Sequence, residues 1–208
     1  MDALLWIAFI AGGLLAGGIM FCSFVPRLIT GKDICGLSDD GNPGAFNVFK
    51  HCGAGVGCLC LALDVLKGLV PVLLAAFFTD TNSILFAFVM LAPVLGHAAG
   101  IFNRMRGGKC IATSFGVMLG LIPVTYWGLV LLAALYIAFS LIRLSSNRVR
   151  SIIVYGLFAV LSAIVLCVCG LFAAALGCGM ISLMAVLKHI LPLRSAINKK
   201  GAGINGND

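Results

Sequence analysis

The chain has 208 residues, of which 62% are hydrophobic and only 10% are charged. This composition excludes a soluble globular protein and predicts an all-α, polytopic integral membrane protein. The formal net charge of +7 comes mostly from Lys and Arg between and after the apolar runs, without interleaved aromatic residues, so no nucleic-acid partner is expected. Glutamate is absent, which excludes an enzyme built on a Glu base.

The first apolar run extends over residues 3–25 and predicts a membrane-spanning helix. Asp2 precedes it where a signal peptide would carry basic residues, and Pro26-Arg27 follow it without a small-residue cleavage pattern, so we expect a retained helix. Small residues along a membrane helix indicate a face that packs closely against another helix. The small residues here are Gly12, Gly13, Gly17 and Gly18.

A polar loop is predicted over residues 26–51, and its central part contains turn-forming residues and amides. Asn42 and Asn47 can hydrogen-bond hydroxyls or phosphate oxygens, while Gly41 and Gly44 favour a turn around them. An ordinary surface loop is the alternative interpretation, and composition alone favours it.

The next apolar run, 53–78, contains Asp64 and Lys67 at a spacing that places both on one helical face, where they can neutralise each other. Ionisable groups at this depth are costly and normally face a polar cavity. A structural ion pair and a functional one are both open interpretations. Lys67, Gly68 and Pro71 are predicted to interrupt the helix and to bring Lys67 toward a cytoplasmic substrate cavity.

Between two long apolar runs, the stretch 96–113 reads GHAAGIFNRMRGGKCIAT and predicts an anion-binding loop. Gly107 and Gly108 let the backbone turn N–H groups toward one point, and Lys109 adds a full charge. The helix that follows adds the positive end of its dipole. His97 is open to two interpretations, as a packing residue and as a residue of the site.

Two apolar runs, 111–142 and 152–187, exceed one bilayer crossing and are predicted to form hairpins of two helices each. Together with the single runs at 3–25, 53–78 and 84–102 they give about seven membrane-spanning helices. With the N-terminus outside, the basic loops and the C-terminus all lie on the cytoplasmic side, as the positive-inside rule requires. Those loops are 26–51, 103–110 and 143–150. Residues 197–208 are expected to form a disordered tail.

The sequence predicts neither a metal site nor a cofactor. Nine cysteines occur, mostly inside apolar runs, and none forms a CxxC motif. The HxxxxD acid/base pair of the soluble-loop acyltransferases is absent, as are the GxSxG, HExxH and GxxxxGK[ST] motifs.

Four segments, taken in order, match the motifs of one family. LDVLKGLVP at 63–71 is similar to a family motif LDxLKGxxP, and the stretch 96–113 is similar to GHxxPxFxxFxGGKGVAT. DGNPGAFNVFK at 40–50 resembles GSGNxGATNxxR, and Lys188-His189 resemble a basic tail with a histidine. The chain therefore resembles the bacterial PlsY family of membrane acyltransferases, which use acyl phosphate to acylate glycerol 3-phosphate.

The chain departs from these motifs at several positions. Asp40 stands in place of a serine, and its carboxylate would repel a phosphate that a hydroxyl can hydrogen-bond. Lys50 replaces an arginine, and Cys110 replaces the last glycine of GGKG. The other departures are Phe46, Gly100 and Pro192.

The resemblance implies one membrane-embedded acyltransferase domain over 1–208, in the bacterial inner membrane, with its active site facing the cytoplasm. It implies acyl transfer that yields 1-acyl-glycerol 3-phosphate (lysophosphatidate), the first step of phospholipid synthesis, without a cofactor. The expected partners are acyl phosphate, glycerol 3-phosphate, the lipid bilayer and the enzyme that forms acyl phosphate.

The resemblance also assigns site residues. The expected catalytic residues are Lys109, His97, Asn42 and Asn47. The expected substrate- and phosphate-binding residues are Gly107, Gly108, Lys67, Lys50, Gly41, Gly44, Asp64, Thr113 and His189.

Two other hypotheses belong to different classes of protein. The motif serine, arginine and asparagine are replaced by Asp40, Lys50 and Pro192. Their loss is consistent with a catalytically impaired member that binds acyl phosphate or lysophosphatidate and regulates lipid synthesis. Seven helices with an ion pair inside the membrane are consistent with a small transporter, although no inverted repeat is visible and the polar residues gather on one face.

Overall fold

A computed structural model describes residues 3–142 and 146–191, and the regular secondary structure of this part consists of α-helices joined by turns and loops. The predictions that concern Asp2, Pro192 and the tail 197–208 lie outside the described residues. The helices are α1 Ala3–Gly18, α2 Phe21–Thr30, α3 Ile34–Leu37, α4 Ala45–Phe78, α5 Ile84–Ala99, α6 Ile111–Gly120, α7 Trp127–Leu141, α8 Asn147–Val168 and α9 Phe172–Ile190.

The all-α membrane fold is confirmed. Among the described residues, α4, α8 and α9 are long and apolar enough to cross a membrane, and α1 with α2 forms a fourth candidate as a pair bent by 42°. The shorter helices α5, α6 and α7 are also apolar. The number of seven spans and the outside position of the N-terminus remain predictions.

Each of the two runs that were predicted to form hairpins is divided by a helix break, and the crossing of the membrane by both halves remains a prediction. The run 111–142 divides into α6 and α7, with Pro123 between them, and the run 152–187 lies in α8 and α9. Gly170, at the second break, has a φ of +73°, a conformation that glycine adopts without a steric cost.

Two predictions about the first half of the chain are wrong. The run 3–25 is not one helix, because α1 ends at Gly18 and α2 starts in a new direction. The polar loop is shorter than 26–51, since α2 continues to Thr30 and α4 begins at Ala45.

The predicted interruption near Lys67 is also wrong. Helix α4 continues through Gly68 and Pro71, and its non-helical residue is Gly53, with a φ of +83°. Gly68 has a packing role instead, because a methyl group there would collide with the carbonyl oxygen of Thr113 in α6. A glycine in a membrane helix thus permits close approach of a neighbour without breaking the helix.

Small residues determine which helices touch. In the α1–α5 contact, a methyl group at Gly17 would collide with the carbonyl oxygen of Pro93, and one at Gly96 with that of Leu14. The predicted packing face of α1 is therefore confirmed for Gly13, Gly17 and Gly18, each of which has neighbours within 4 Å, but not for Gly12, which has none. Helix α5 packs in turn on α9, and α9 on α8.

The ion pair in α4 holds the break between α1 and α2. Lys67 Nζ lies 2.7 Å from Asp64 Oδ1 and donates a hydrogen bond of 2.6 Å to the carbonyl oxygen of Ile19. Cys22 Sγ donates to Asp64 Oδ2 at 3.1 Å. Because a helix break leaves backbone carbonyls without partners, a buried ammonium at this point satisfies one of them.

Candidate active site

A cavity of about 850 Å³ lies where the loop before α4 meets α4, α6, α8 and α9. Charged and amide side chains line it together with aromatic and aliphatic ones. The polar lining residues are Asp39, Asp40, Asn42, Asn47, Lys50, Asp64, His97, Lys109, Asn147, Arg150, Ser151 and His189, and the larger apolar ones are Phe46, Phe49, Leu61, Val65, Ile111 and Phe115.

The closest charged contact in this cavity joins the loop before α4 to the loop before α6. Lys109 Nζ lies 2.6 Å from Asp40 Oδ2. The other carboxylate oxygen, Oδ1, accepts hydrogen bonds from the Asn42 N–H at 3.1 Å and from Asn47 Nδ2 at 3.2 Å. The sequence departure at Asp40 therefore does not leave a lone repelling charge, because Lys109 compensates it.

The pKa of Asp40 follows from this environment. Partial burial raises it, but the hydrogen bond and the charge of Lys109, with the donors of Asn42 and Asn47, hold the pKa below its ordinary value. Asp40 is therefore a carboxylate at neutral pH.

The turn that carries Asp40 is closed by Asn47 in the first turn of α4. Its Nδ2 donates to the carbonyl oxygen of Asn42 at 2.9 Å as well as to Asp40. The side-chain oxygen of Asn42 is buried and has no hydrogen-bond partner among the described residues. It is available as an acceptor for a substrate hydroxyl.

Gly107 and Gly108 pack against the end of α5. A methyl group at Gly107 would collide with the carbonyl oxygen of Ala98, and one at Gly108 with His97 Nε2. The Gly108 N–H donates to the carbonyl oxygen of His97 at 3.0 Å. This contact fixes the backbone from which Lys109 projects.

His97 is 4% exposed, and its ring borders the cavity. Its Nδ1 has no hydrogen-bond partner among the described residues. His189, at the end of α9, also borders the cavity, and its Nδ1 lies 2.8 Å from the carbonyl oxygen of Ala185. The Nδ1 atom of His97 is thus unpaired among the described residues, whereas that of His189 is paired with its own helix.

The structure brings eight of the thirteen predicted site residues to the cavity wall. These eight are Asn42, Gly44, Asn47, Lys50, Asp64, His97, Lys109 and His189. The remaining five are Gly41, Gly107, Gly108, Lys67 and Thr113, and none of them borders the cavity. Thr113 is fully buried where α4 and α6 touch.

Sequence reasoning missed the first turn of α8. Asn147, Arg150 and Ser151 all line the cavity, and Arg150 Nη2 donates to Asn147 Oδ1 at 2.8 Å. Their spacing of three and four residues places them on one helical face, which was a detectable signal. The sequence interpretation treats Arg150 only as a topogenic charge and therefore misses its place in the cavity wall.

Fold and cavity together define a class: an integral membrane protein with a cavity that offers donors for an anion beside an apolar wall, which suits an amphiphilic phosphate. Residues 7–199 match the family model described as glycerol-3-phosphate acyltransferase. The chain belongs to the glycerol-3-phosphate acyltransferase family.

Individual relatives carry the same name. A glycerol-3-phosphate acyltransferase of Hydrogenobaculum sp. is 33% identical over 179 residues, 85% of this chain and 86% of that protein. One from Maridesulfovibrio salexigens is 39% identical over 132 residues, 63% of this chain and 67% of that protein. With a relative in Desulfovibrio desulfuricans, 42% identical, the match spans 46% of that protein's length.

Solved structures agree with the sequence comparison. Two crystal structures of PlsY (YgiH), an integral membrane glycerol 3-phosphate acyltransferase, resemble this chain at 26% identity and cover 96% of it and 93% of the solved chain. The TM-score is 0.74 for the lysophosphatidic acid form and 0.73 for the glycerol 3-phosphate form. The identification of the family and of the class of enzyme from sequence is confirmed, and it is favoured over the regulator and transporter hypotheses.

Proposed function

We propose that this chain transfers a fatty acyl group from acyl phosphate to glycerol 3-phosphate, giving 1-acyl-glycerol 3-phosphate and inorganic phosphate. Family membership and the solved forms with glycerol 3-phosphate and with lysophosphatidic acid support the acceptor and the product. The product enters the membrane as the first phospholipid intermediate.

The observation that carries the proposal is the composition of one cavity. Lys109, Lys50 and Arg150 supply positive charge for a phosphate, while Phe49 and Phe115 supply apolar surface for an acyl chain. Both kinds of group are needed by a substrate that has a phosphate at one end and a hydrocarbon at the other.

The reaction needs no acyl-enzyme. The acceptor hydroxyl oxygen attacks the carbonyl carbon of acyl phosphate and forms the ester bond. The bond from that carbon to the phosphate oxygen breaks, the electron pair leaves with inorganic phosphate, and the hydroxyl proton passes to a phosphate oxygen. Because the donor is already activated, the protein contributes charge stabilisation and alignment.

We assign the site residues accordingly. Lys109 and Lys50 neutralise phosphate charge, Asn42 and Asn47 orient the acceptor, and His97 donates a hydrogen bond to a substrate oxygen. Phosphate binding by His189, Gly107, Gly108, Gly41, Gly44 and Thr113 remains a prediction. For Lys67 and Asp64 we favour the structural role described above, since both are buried in their mutual ion pair.

The membrane arrangement is also part of the proposal. The chain forms one domain of about seven spans in the bacterial inner membrane, with the N-terminus outside and the cavity open to the cytoplasm, because the basic loops then lie inside. The cytoplasmic side would place the cavity within reach of the enzyme that forms acyl phosphate.

Lysophosphatidate formation tests the function. Purified protein receives palmitoyl phosphate and radiolabelled glycerol 3-phosphate, with acyl-CoA and acyl-carrier protein as alternative donors. We expect product from acyl phosphate alone, and its loss in Lys109→Ala. The matched control is Lys32→Ala, since Lys32 is an exposed lysine that donates to the carbonyl oxygen of His51 and does not border the cavity. No product from any donor would refute the proposal.

A further inference from the structure

The donors around Asp40 form the kind of site that a phosphate oxygen requires. One carboxylate receives an ammonium from Lys109, a side-chain amide from Asn47 and a backbone N–H from Asn42. Phosphate oxygens bind the same three kinds of donor. In this structure the anion that occupies these donors is the side-chain carboxylate of Asp40.

We propose that the Asp40 carboxylate is an internal competitor for substrate phosphate, occupying the donors of Lys109 and Asn47, so that a phosphorylated substrate binds by displacing it. This inference rests on the proposed function for the identity of the substrate. It concerns the affinity of the site and not the route of acyl transfer.

The geometry permits the exchange. The side chains of Asp40 and Lys109 are 44% and 25% exposed, so water reaches both and neither charge is stranded when the contact opens. By contrast, Asp64 and Lys67 are 2% and 3% exposed, and separating them would leave two buried charges. Of these two pairs, Asp40–Lys109 is the one that can exchange its partner readily for a ligand.

The neighbouring groups make the competition costly for a phosphate. Asp39 precedes Asp40 and is paired with Lys50 at 3.2 Å, so two of the cavity's lysines already contact carboxylates. Arg150 is the remaining cation of the described cavity lining, and it contacts Asn147. A phosphate therefore enters a site in which the donors nearest to Asp40 are taken.

Phosphate affinity measures this directly. Inorganic phosphate and glycerol 3-phosphate are titrated by calorimetry into the full-length protein in nanodiscs, for the wild type, Asp40→Asn and Asp40→Ser. We expect both variants to bind about tenfold more tightly, as for the removal of a like charge near contact distance in a partly exposed site. Two variants are used so that misfolding of one leaves the other informative.

The matched control is Asp33→Asn, which removes one carboxylate from the Arg27–Asp33 pair outside the cavity. Its affinity is expected to equal that of the wild type. Unchanged, weaker or absent phosphate binding in both Asp40 variants would overturn the proposal and make Asp40 a residue that positions Lys109.

The same proteins, assayed for lysophosphatidate formation, separate this inference from the proposed function. Tighter phosphate binding without turnover in any protein would support the competitor and refute the acyltransferase. Turnover in the wild type with unchanged phosphate binding in the Asp40 variants would support the acyltransferase and refute the competitor.

Discussion

Two Asp–Lys pairs in this protein have similar geometry and different surroundings. Lys67 and Asp64 lie 2.7 Å apart within α4, almost completely buried, whereas Lys109 and Asp40 lie 2.6 Å apart between two loops, partly exposed at a cavity. The sequence marks Asp64, Lys67 and Lys109 as candidates for one site, and it marks Asp40 as a departure from the family motif. Burial separates them, because a buried pair that loses a partner strands a charge, while an exposed pair can exchange its partner with a ligand.

The largest expected effect is on stability, and it concerns the buried pair of Asp64 and Lys67. Lys67→Ala leaves the Asp64 carboxylate uncompensated and removes the donor to Ile19, so we expect a loss of about 3–5 kcal/mol in unfolding free energy. Denaturant unfolding in detergent micelles measures it, with the double variant Asp64→Leu/Lys67→Met as the control that removes both charges. A stable, inactive Lys67→Ala would instead place Lys67 in the reaction.

The second effect belongs to the exposed pair. Lys109→Ala should lower kcat/KM by about 100- to 1,000-fold, the usual consequence of removing a group that stabilises developing charge. Its unfolding free energy should change by no more than about 1 kcal/mol, as for an exposed ion pair. Steady-state kinetics and micelle unfolding give both values. A loss of unfolding free energy as large as that of Lys67→Ala would contradict the distinction between the buried pair and the exposed pair.

A third prediction concerns the backbone that presents Lys109. Cys110 has a φ of +68°, a left-handed conformation, at the position where the motif has glycine. We expect Cys110→Gly to be more stable than Cys110→Ala by about 1–2 kcal/mol, because only alanine carries a Cβ that this conformation crowds. Both variants lose the same thiol, so their difference in unfolding free energy isolates the backbone. Equal unfolding free energies of the two variants would show that the left-handed backbone at position 110 is not strained by a Cβ.

The smallest effect is the pH dependence of the exposed pair. Because Lys109 lowers the pKa of Asp40, the pair stabilises the fold fully above the ordinary aspartate range and loses this contribution as the pH falls through the lowered value. The unfolding midpoints of the wild type and Asp40→Asn should therefore differ at pH 7 and converge below about pH 4. A constant difference across this range would show that Asp40 acts through its shape and not its charge.

The site was only partly predictable from sequence. Lys109, Asn42 and Asn47 were found because they stand in motifs whose order along the chain resembles one family. Arg150 was missed because it comes from α8, far along the chain, where a charge at a helix end has an ordinary topogenic explanation. Gly107 and Gly108 were predicted to turn backbone N–H groups toward an anion, which remains a prediction, and their packing against the end of α5 was not foreseen.

Hydropathy, run length and local motifs depend on neighbours along the chain. They were therefore enough to predict the membrane environment, the helical class, the breaks within the two long runs and the family. The tertiary structure decided which candidate residues share the cavity and which brace the helices. It placed Lys67 at the α1–α2 break and Asp40 on Lys109, and both contacts join residues more than 40 positions apart. Contacts of this kind depend on how helices pack, which hydropathy and spacing do not encode.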